Sequence, residues 1–265
     1  MGSERQALLK SVPEGEERLL LAKALDQAYL CQKRRMPTFT DFMDRAKCAR
    51  FALRLRGLGE WQLVTFGGME DCERQQIGFF PQEAADAEQL FPIRILKIRR
   101  KSKKFGQTDL SHRDYLGSLL GLGIDRSKIG DILVTEDAAV CFVAEEIASY
   151  ITATLDQVSR TAVVAEEISQ AEELPQRQTE LMRVTAASLR LDAVAGEAFH
   201  LARGRVQSLI GAEKAAVNWN TVTNTSHLLQ EGDMVSLRGF GRFRVKRIGG
   251  KTKKDRIGLE LEKYV

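Results

Sequence analysis

Nowhere in its 265 residues does this chain hold the roughly 18 consecutive apolar positions that a membrane-spanning helix needs. Its opening, MGSERQALLKSVPEGEERLL, is too charged for the apolar region of a signal peptide, so a cytoplasmic location with no membrane partner is expected. Cysteine is scarce and dispersed: Cys31, Cys48, Cys72 and Cys141 form no CxxC pair. Histidine is scarcer, with His112, His200 and His227 far apart. Such spacing offers neither a zinc-ligand set nor a disulfide framework, and no metal or other cofactor is expected. Internal repeats and low-complexity tracts are absent as well.

What the chain has is a hydrophobic content of 43%, enough at this length for two or three compact domains with their own cores. Its charge is unevenly placed. The formal net charge is +4, yet from Thr185 to the end 14 Lys+Arg stand against 8 Asp+Glu, a net of +6, while residues 1–184 carry 26 against 28, a net of −2. Basicity concentrated in the last third is the footprint of a phosphate-binding surface. Within it, GDMVSLRGFGRFRVKRIGG (232–250) puts Arg238, Arg242, Arg244 and Lys246 at even positions and Val235, Leu237, Phe243 and Val245 at odd ones. Side chains alternate across a strand, so this numbering predicts one apolar and one cationic face. From Arg238 to Arg256 nine cations accompany a single acid, Asp255. An edge strand guarded by charge has the same signature, and the pattern alone leaves both readings open.

Three units are expected in an α+β chain. Residues 1–59 read as a helical unit, with Leu21, Ala24, Leu25 and Ala28 at helical spacing, Thr40-Asp41 as an N-cap and Gly57 and Gly59 as the stop. Residues 60–189 alternate strand-like runs (WQLVTF, QIGFF, FPIRILKI, DILVT, AVCFVA, TAVVAEEI) with helical ones (YLGSLLGLG, EEIASYITATL). They predict a central α/β unit with an RRM-like mixed sheet. A polar, acidic run, SQAEELPQRQTE, leads into its last strand, ELMRVTAASL, and residues 190–265 form the third unit.

In that third unit LRLDAV, FHLARGRVQSLI, AAVNWNTV and EGDMVSLRGFGRF follow one another. The succession resembles the S4 RNA-binding domain, with matches at Arg190-Leu191-Asp192, Arg203, Leu209-Ile210, Val217-Asn218, Gly232-Asp233 and Arg238-Gly239. Two positions depart from that pattern: Ala202 stands for the usual Ser and Trp219 for the usual Gly. With QALLKSVPEGEERLLLAKALDQA and HRDYLGSLLGLGIDRSKIGDILV added, essentially the whole chain resembles the YlmH family of bacterial S4-domain proteins. The resemblance implies an S4 unit of the αL type, two helices on a small twisted sheet. It further implies a non-catalytic accessory factor in translation, with ribosomal RNA, tRNA and the large ribosomal subunit as partners. Some relatives are linked to stalled nascent chains and, through genomic setting, to cell division. A monomer is expected.

Arg203 and Arg205 open the second helix of this unit, whose apolar stripe is Val206, Leu209 and Ile210. Both arginines then project to solvent beside backbone N–H groups that can hold phosphate. Arg190, Lys214, Asn218, Arg238, Arg242, Arg244 and Lys246 extend the expected RNA surface. Read as an exposed residue away from core and caps, Arg203 should contribute within about 0.5 kcal/mol to stability. A second basic run, FPIRILKIRRKSKKF, has seven cations and no acid, among them Arg94, Arg99, Arg100, Lys103 and Lys104. Such a loop either reaches phosphate or is simply solvated. Ser111 is a good N-cap for a helix with Leu116, Leu119 and Leu120 on its core face, which leaves His112 and Arg113 as RNA contacts at its start.

Catalysis has only weak footholds. His112 and Asp114 are two apart on a helix and do not face each other. The RLD letters also occur around the aspartate of pseudouridine synthases, but here they open the S4 helix, and only about 70 residues follow, too few for a separate catalytic domain. GLGEWQLVTFGG lacks the strand, glycine turn and helix order of a dinucleotide site. An RNA-modifying enzyme with a catalytic central unit and a cell-division scaffold are the competing readings.

Overall fold

The computed structural model describes residues 2–81, 86–102, 109–169, 174, 179–252 and 255–264. Lys103, Lys104, Lys253, Lys254 and most of SQAEELPQRQTE lie outside the described residues. The chain divides into two compact units, residues 1–175 and 176–265, rather than at 59 and 189.

The first unit begins with α1 (Gly2–Lys10), α2 (Glu16–Arg34), β1 (Thr38–Phe39), β2 (Met43–Asp44), α3 (Arg45–Leu55), β3 (Gln62–Phe66) and β4 (Arg74–Phe80). The helical spacing of Leu21, Ala24, Leu25 and Ala28 becomes the buried stripe of α2, and α3 buries Cys48, Phe51, Ala52 and Leu55. Asp44 caps α3, its carboxylate accepting from the Lys47 N–H at 2.8 Å. Thr40 instead turns inward, where its hydroxyl accepts from the Ile77 N–H at 2.9 Å. The helices close no core of their own. Their apolar faces need a sheet to cover them, and they find it in β4, which pairs antiparallel with β1, β2 and β3 and presents Ile77 and Phe79 to them. Helices and sheet therefore form one layer pair that runs past residue 59.

Next come β5 (Ile93–Arg100), α4 (His112–Gly121), β6 (Ile129–Val134), β7 (Ala138–Ala144), α5 (Glu145–Thr154), β8 (Gln157–Val158) and β9 (Thr161–Ile168). They form a sheet of order β6-β7-β5-β9-β8. Every pairing in it is antiparallel, so the sheet is not mixed. The β5-α4-β6 and β7-α5-β9 segments interleave in a split βαββαβ connectivity; each crossover steps over one strand, and the tight β6–β7 hairpin permits only antiparallel neighbours. On one face α4 and α5 bury Tyr115, Leu119 and Ile151 against Leu96, Ile98, Cys141 and Val143. The stripe of α4 is shifted from the expected one, with Tyr115 inside and Leu120 39% exposed. On the opposite face Gly68 holds φ +102°, and a Cβ there would stand 2.3 Å from the buried Phe142 ring. Gly68→Ala combines a clash with backbone strain and should lower stability by about 2–3 kcal/mol, read as a fall in urea midpoint at unchanged slope.

Arg74 and Asp131 tie the two sheets of this unit together. Arg74 donates from Nε to the Ile129 carbonyl at 2.9 Å and from Nη2 to the Phe42 and Arg126 carbonyls at 2.9 and 3.2 Å. The Asp131 carboxylate answers by accepting the backbone N–H groups of Glu73 and Arg74, both at 2.9 Å. Nearby Arg126 is pushed down to about 10 by burial and by the Arg74 charge. These bonds cross the expected boundary at 59/60.

The second unit holds β10 (Thr179–Ala186), α6 (Leu191–Ala198), α7 (Arg203–Gly211), β11 (Ala215–Val217), β12 (Asn220–Thr221), β13 (Met234–Leu237), β14 (Gly241–Lys251) and β15 (Ile257–Tyr264). One antiparallel sheet has the order β10-β15-β14-β13-β11-β12. Strand β10 pairs along its whole length with β15, from Thr179↔Tyr264 to Ala186↔Ile257, and so belongs to this sheet and not to the central one. Helices α6 and α7 cover one face with Leu191, Val194, Val206, Leu209 and Ile210 over Val235, Leu237, Phe243 and Val245.

Candidate nucleic-acid interface

The RLD segment places Asp192 in the first turn of α6 with its side chain wholly buried. Two guanidiniums clamp it. Arg190 donates from Nε and Nη2 to Oδ1 and Oδ2 at 3.1 and 3.2 Å, and Arg203 does the same to Oδ2 and Oδ1 at 2.9 and 3.3 Å. The Gln207 amide, one turn along α7, adds a bond of 2.7 Å to Oδ2. Burial pushes the Asp192 carboxyl up, but the bonds from Arg190, Arg203 and Gln207 and the Arg203 charge reverse this, holding it well below the usual carboxylate range. Its oxygens are saturated, so Asp192 is a structural anion and not a nucleophile. The cluster has two cations against one anion, and its Arg203 side chain is 52% exposed. Each guanidinium spends Nε and Nη2 on Asp192, which leaves Nη1 uncommitted to the carboxylate and fixes its direction.

This geometry changes what Arg203 does. It is a strut between α6 and α7 as well as a surface cation, so the expectation of a negligible stability role is replaced by a cost of about 1–2 kcal/mol for Arg203→Ala. Arg205, exposed on the same helix, makes no such contact with Asp192. At the other end of α7 the carbonyl of Lys214 accepts the Arg238 N–H at 2.8 Å, bringing those two exposed cations together.

Segment 232–250, read above as one strand, is a hairpin. Arg238, Gly239 and Phe240 form its turn, and β13 and β14 pair from Leu237↔Gly241 to Met234↔Arg244. Alternation holds from Arg242 to Val245, then a bulge between Val245 and Arg247 makes Lys246 the extra residue and shifts the parity. Ile248, an even position, packs on the core. The open face is also less cationic than one strand suggests. Arg244 stands opposite Glu262 and Arg247 opposite Glu260, while Arg242 lies 4.6 Å over the Tyr264 ring. Asn218 is engaged in the hairpin: its Nδ2 donates to Asp233 Oδ1 at 2.7 Å and its Oδ1 accepts from the Met234 N–H at 2.9 Å.

The basic run of the first unit is treated similarly by its neighbours. Arg99 forks onto Glu166 at 2.9 and 3.3 Å, Arg94 pairs with Glu145 and Glu167, and the Arg100 side chain is only 8% exposed, 3.7 Å from Asp109. Charges that read as a solitary run are matched by acids on β9 and α5. His112 and Arg113 are exposed in the first turn of α4. Ser111 caps that helix, and Asp114 returns bonds to the Ser111 N–H and hydroxyl at 2.8 and 2.6 Å, so Asp114 is a cap and no acid/base partner of His112.

A family model described as "Putative RNA-binding domain in YlmH" matches residues 86–172. Over 249 residues, 94% of this chain and 95% of the relative, the sequence is 33% identical to Ribosome-associated protein quality control protein P2 of Bacillus subtilis (strain 168). This chain belongs to the YlmH family. A solved structure, cell division protein ylmH from Streptococcus pneumoniae, shares the fold at a TM-score of 0.52 and 19% identity, over 62% of this chain and 99% of its own.

The YlmH family match lies on the β5–β9 sheet, whereas the Asp192 cluster lies outside it, in the second unit. Reading the YlmH-like sequence by motif missed Asp192 and Gln207 as the holders of the arginines. The signal was present: Asp192 falls on the apolar stripe of α6 between Leu191 and Val194, and a buried acid demands cations. Glu260 and Glu262 were missed because their strand pairs with β14 only in three dimensions. Among the described residues no group of His, Cys, Asp or Glu could hold a metal, and no helix is long and apolar enough to cross a membrane. All four cysteines are buried, and burial pushes the Cys141 thiol up to about 12.

Proposed function

We propose that this chain is a non-catalytic RNA-binding factor of the cytoplasm that acts as a monomer on the large ribosomal subunit. Its ligands are structured ribosomal RNA and tRNA, and its task is the handling of stalled nascent chains. The observation that carries the reading is the Asp192 cluster, an arginine pair locked in place with net positive charge beside Arg205. Preformed guanidinium donors suit phosphate, because no side-chain order has to be created on binding. The exposed cations Lys214, Arg238 and Lys246 extend the same unit's reach, and His112 and Arg113 offer a second contact on the first unit. The family description and the relative's name both point toward RNA and the ribosome.

Arg205 and Lys214 test the reading without touching the Asp192 strut. In a filter-binding titration with large-subunit RNA, affinity should fall steeply with salt, and Arg205→Ala and Lys214→Ala should each lower the log–log slope by about 0.7–0.9 with unchanged melting. Salt-independent binding, or covalent change in the RNA, would overturn the proposal.

A further inference from the structure

The bulge in β14 decides which cation joins Arg242 and Arg244 on their side of the sheet. In an unbroken strand that place falls to residue 246; with Lys246 the extra residue, Arg247 takes it, opposite Glu260. The row continues onto β10, because Glu260 also pairs in register with Arg183. Paired residues share a face, and the chain neighbours of this row, Ile248, Leu259 and Val184, pack on the core beneath α6 and α7. Arg183, Glu260 and Arg247 therefore stand on the face turned away from both helices.

Glu260 is bonded to one of its two arginines. It accepts from Arg183 Nε at 3.1 Å, which leaves both terminal nitrogens of a 77% exposed side chain uncommitted to it. Arg247 is exposed and, among the described residues, in no ion pair. Over β10, β14 and β15 this face holds Arg183, Arg242, Arg244 and Arg247 against Glu260 and Glu262, four cations to two acids. Cross-strand pairing of Arg with Glu on a solvated face would be one to one and neutral. Here an excess of positive charge is left, and three of the arginines follow one strand at steps of about 7 Å. That spacing is near the one between successive phosphates of an extended nucleic-acid strand. The line is ordered in advance, with Arg242 held 4.6 Å over the Tyr264 ring and Arg244 opposite Glu262. Guanidiniums fixed in this way suit phosphate oxygens. We infer that the open face of this sheet is a second phosphate-binding surface, which takes the backbone of an RNA segment other than the one at the Asp192 cluster. The unit then holds two RNA segments at once, one on each side of its sheet. The inference rests on the RNA-binding reading above.

The probe is a short, fully paired RNA duplex titrated against the full chain at low salt, with the mass of the complex read by sedimentation. The parent should bind two duplexes. Arg183→Gln with Arg247→Gln should hold one, and its log–log salt slope should be lower by about 1.4–1.8, the share of two phosphate contacts. Its melting midpoint should not move, because both side chains are exposed. Arg183→Lys with Arg247→Lys keeps the charge and should restore the second duplex. Arg205→Ala with Lys214→Ala should weaken the other duplex and leave the open face occupied. A parent that saturates with fewer than two duplexes, or a glutamine variant that still binds two, sinks the second surface while leaving the RNA-binding reading intact. Polyglutamate that displaces the second duplex at a lower concentration than unlabelled duplex does would assign the face to an acidic protein and overturn the inference. A parent that binds neither duplex nor large-subunit RNA overturns both.

Discussion

Asp192→Ala lowers the unfolding free energy of the second unit by about 3–5 kcal/mol, the cost of removing one partner from a buried ion pair. The carboxylate is wholly buried and accepts five hydrogen bonds from three side chains. Without it, two guanidiniums face each other across an apolar helix pair with nothing between them. Asp192→Asn keeps the shape but not the charge and should lose a large part of the same stability. The measurement is urea unfolding followed by a probe in the second unit. A midpoint within about 0.5 kcal/mol of the parent would remove Asp192 from the structural account.

The same residue sets a pH dependence. The native carboxyl lies below its ordinary value of about 3.9, so the unfolded chain binds the proton more readily. Stability from this group is therefore fully present above about pH 5 and is lost as pH falls below that value toward the depressed native one. The difference between parent and Asp192→Asn should be constant near neutrality and shrink on acidification. A difference that grows on acidification would contradict the assigned sign. On the RNA-binding function proposed above, affinity should follow the same titration, because Arg190 and Arg203 are held by the ionised Asp192 carboxylate.

Arg74→Ala should cost the first unit about 3 kcal/mol or more. Three backbone carbonyls, of Ile129, Phe42 and Arg126, lose a charged donor in a part-buried site; the Ile129 carbonyl keeps the Arg126 guanidinium and the Arg126 carbonyl keeps the Ile129 N–H, so the desolvation penalty falls chiefly at Phe42, on top of the three bonds lost. The loss falls at the joint between the β1–β4 sheet and the β5–β9 sheet. Limited proteolysis should then cut between residues 59 and 93 in the variant and not in the parent. If the variant resists protease and melts like the parent, the two sheets are held together by apolar packing alone.

Several local features needed only the order of residues. Helix stripes such as Leu21, Ala24, Leu25 and Ala28, the Ser111 cap and the start of α7 at Arg203 are set by contacts within a few residues. The sequence also carried the family, through motifs spread along the chain. What it did not disclose are the partners of each charge and each strand. Arg99 meets Glu166, β10 meets β15 and Arg203 meets Asp192, over separations of 67, about 80 and 11 positions. Local pattern reports which face of a strand or helix is apolar, because that depends on the period of the backbone. It does not report which acid a cation will face, because ion pairing is decided by what the tertiary fold brings within a few ångströms. The sequence by itself determined that the C-terminal third is basic; only the tertiary structure decided that Arg94 and Arg99 are matched by acids, and that Arg190 and Arg203 share one buried carboxylate.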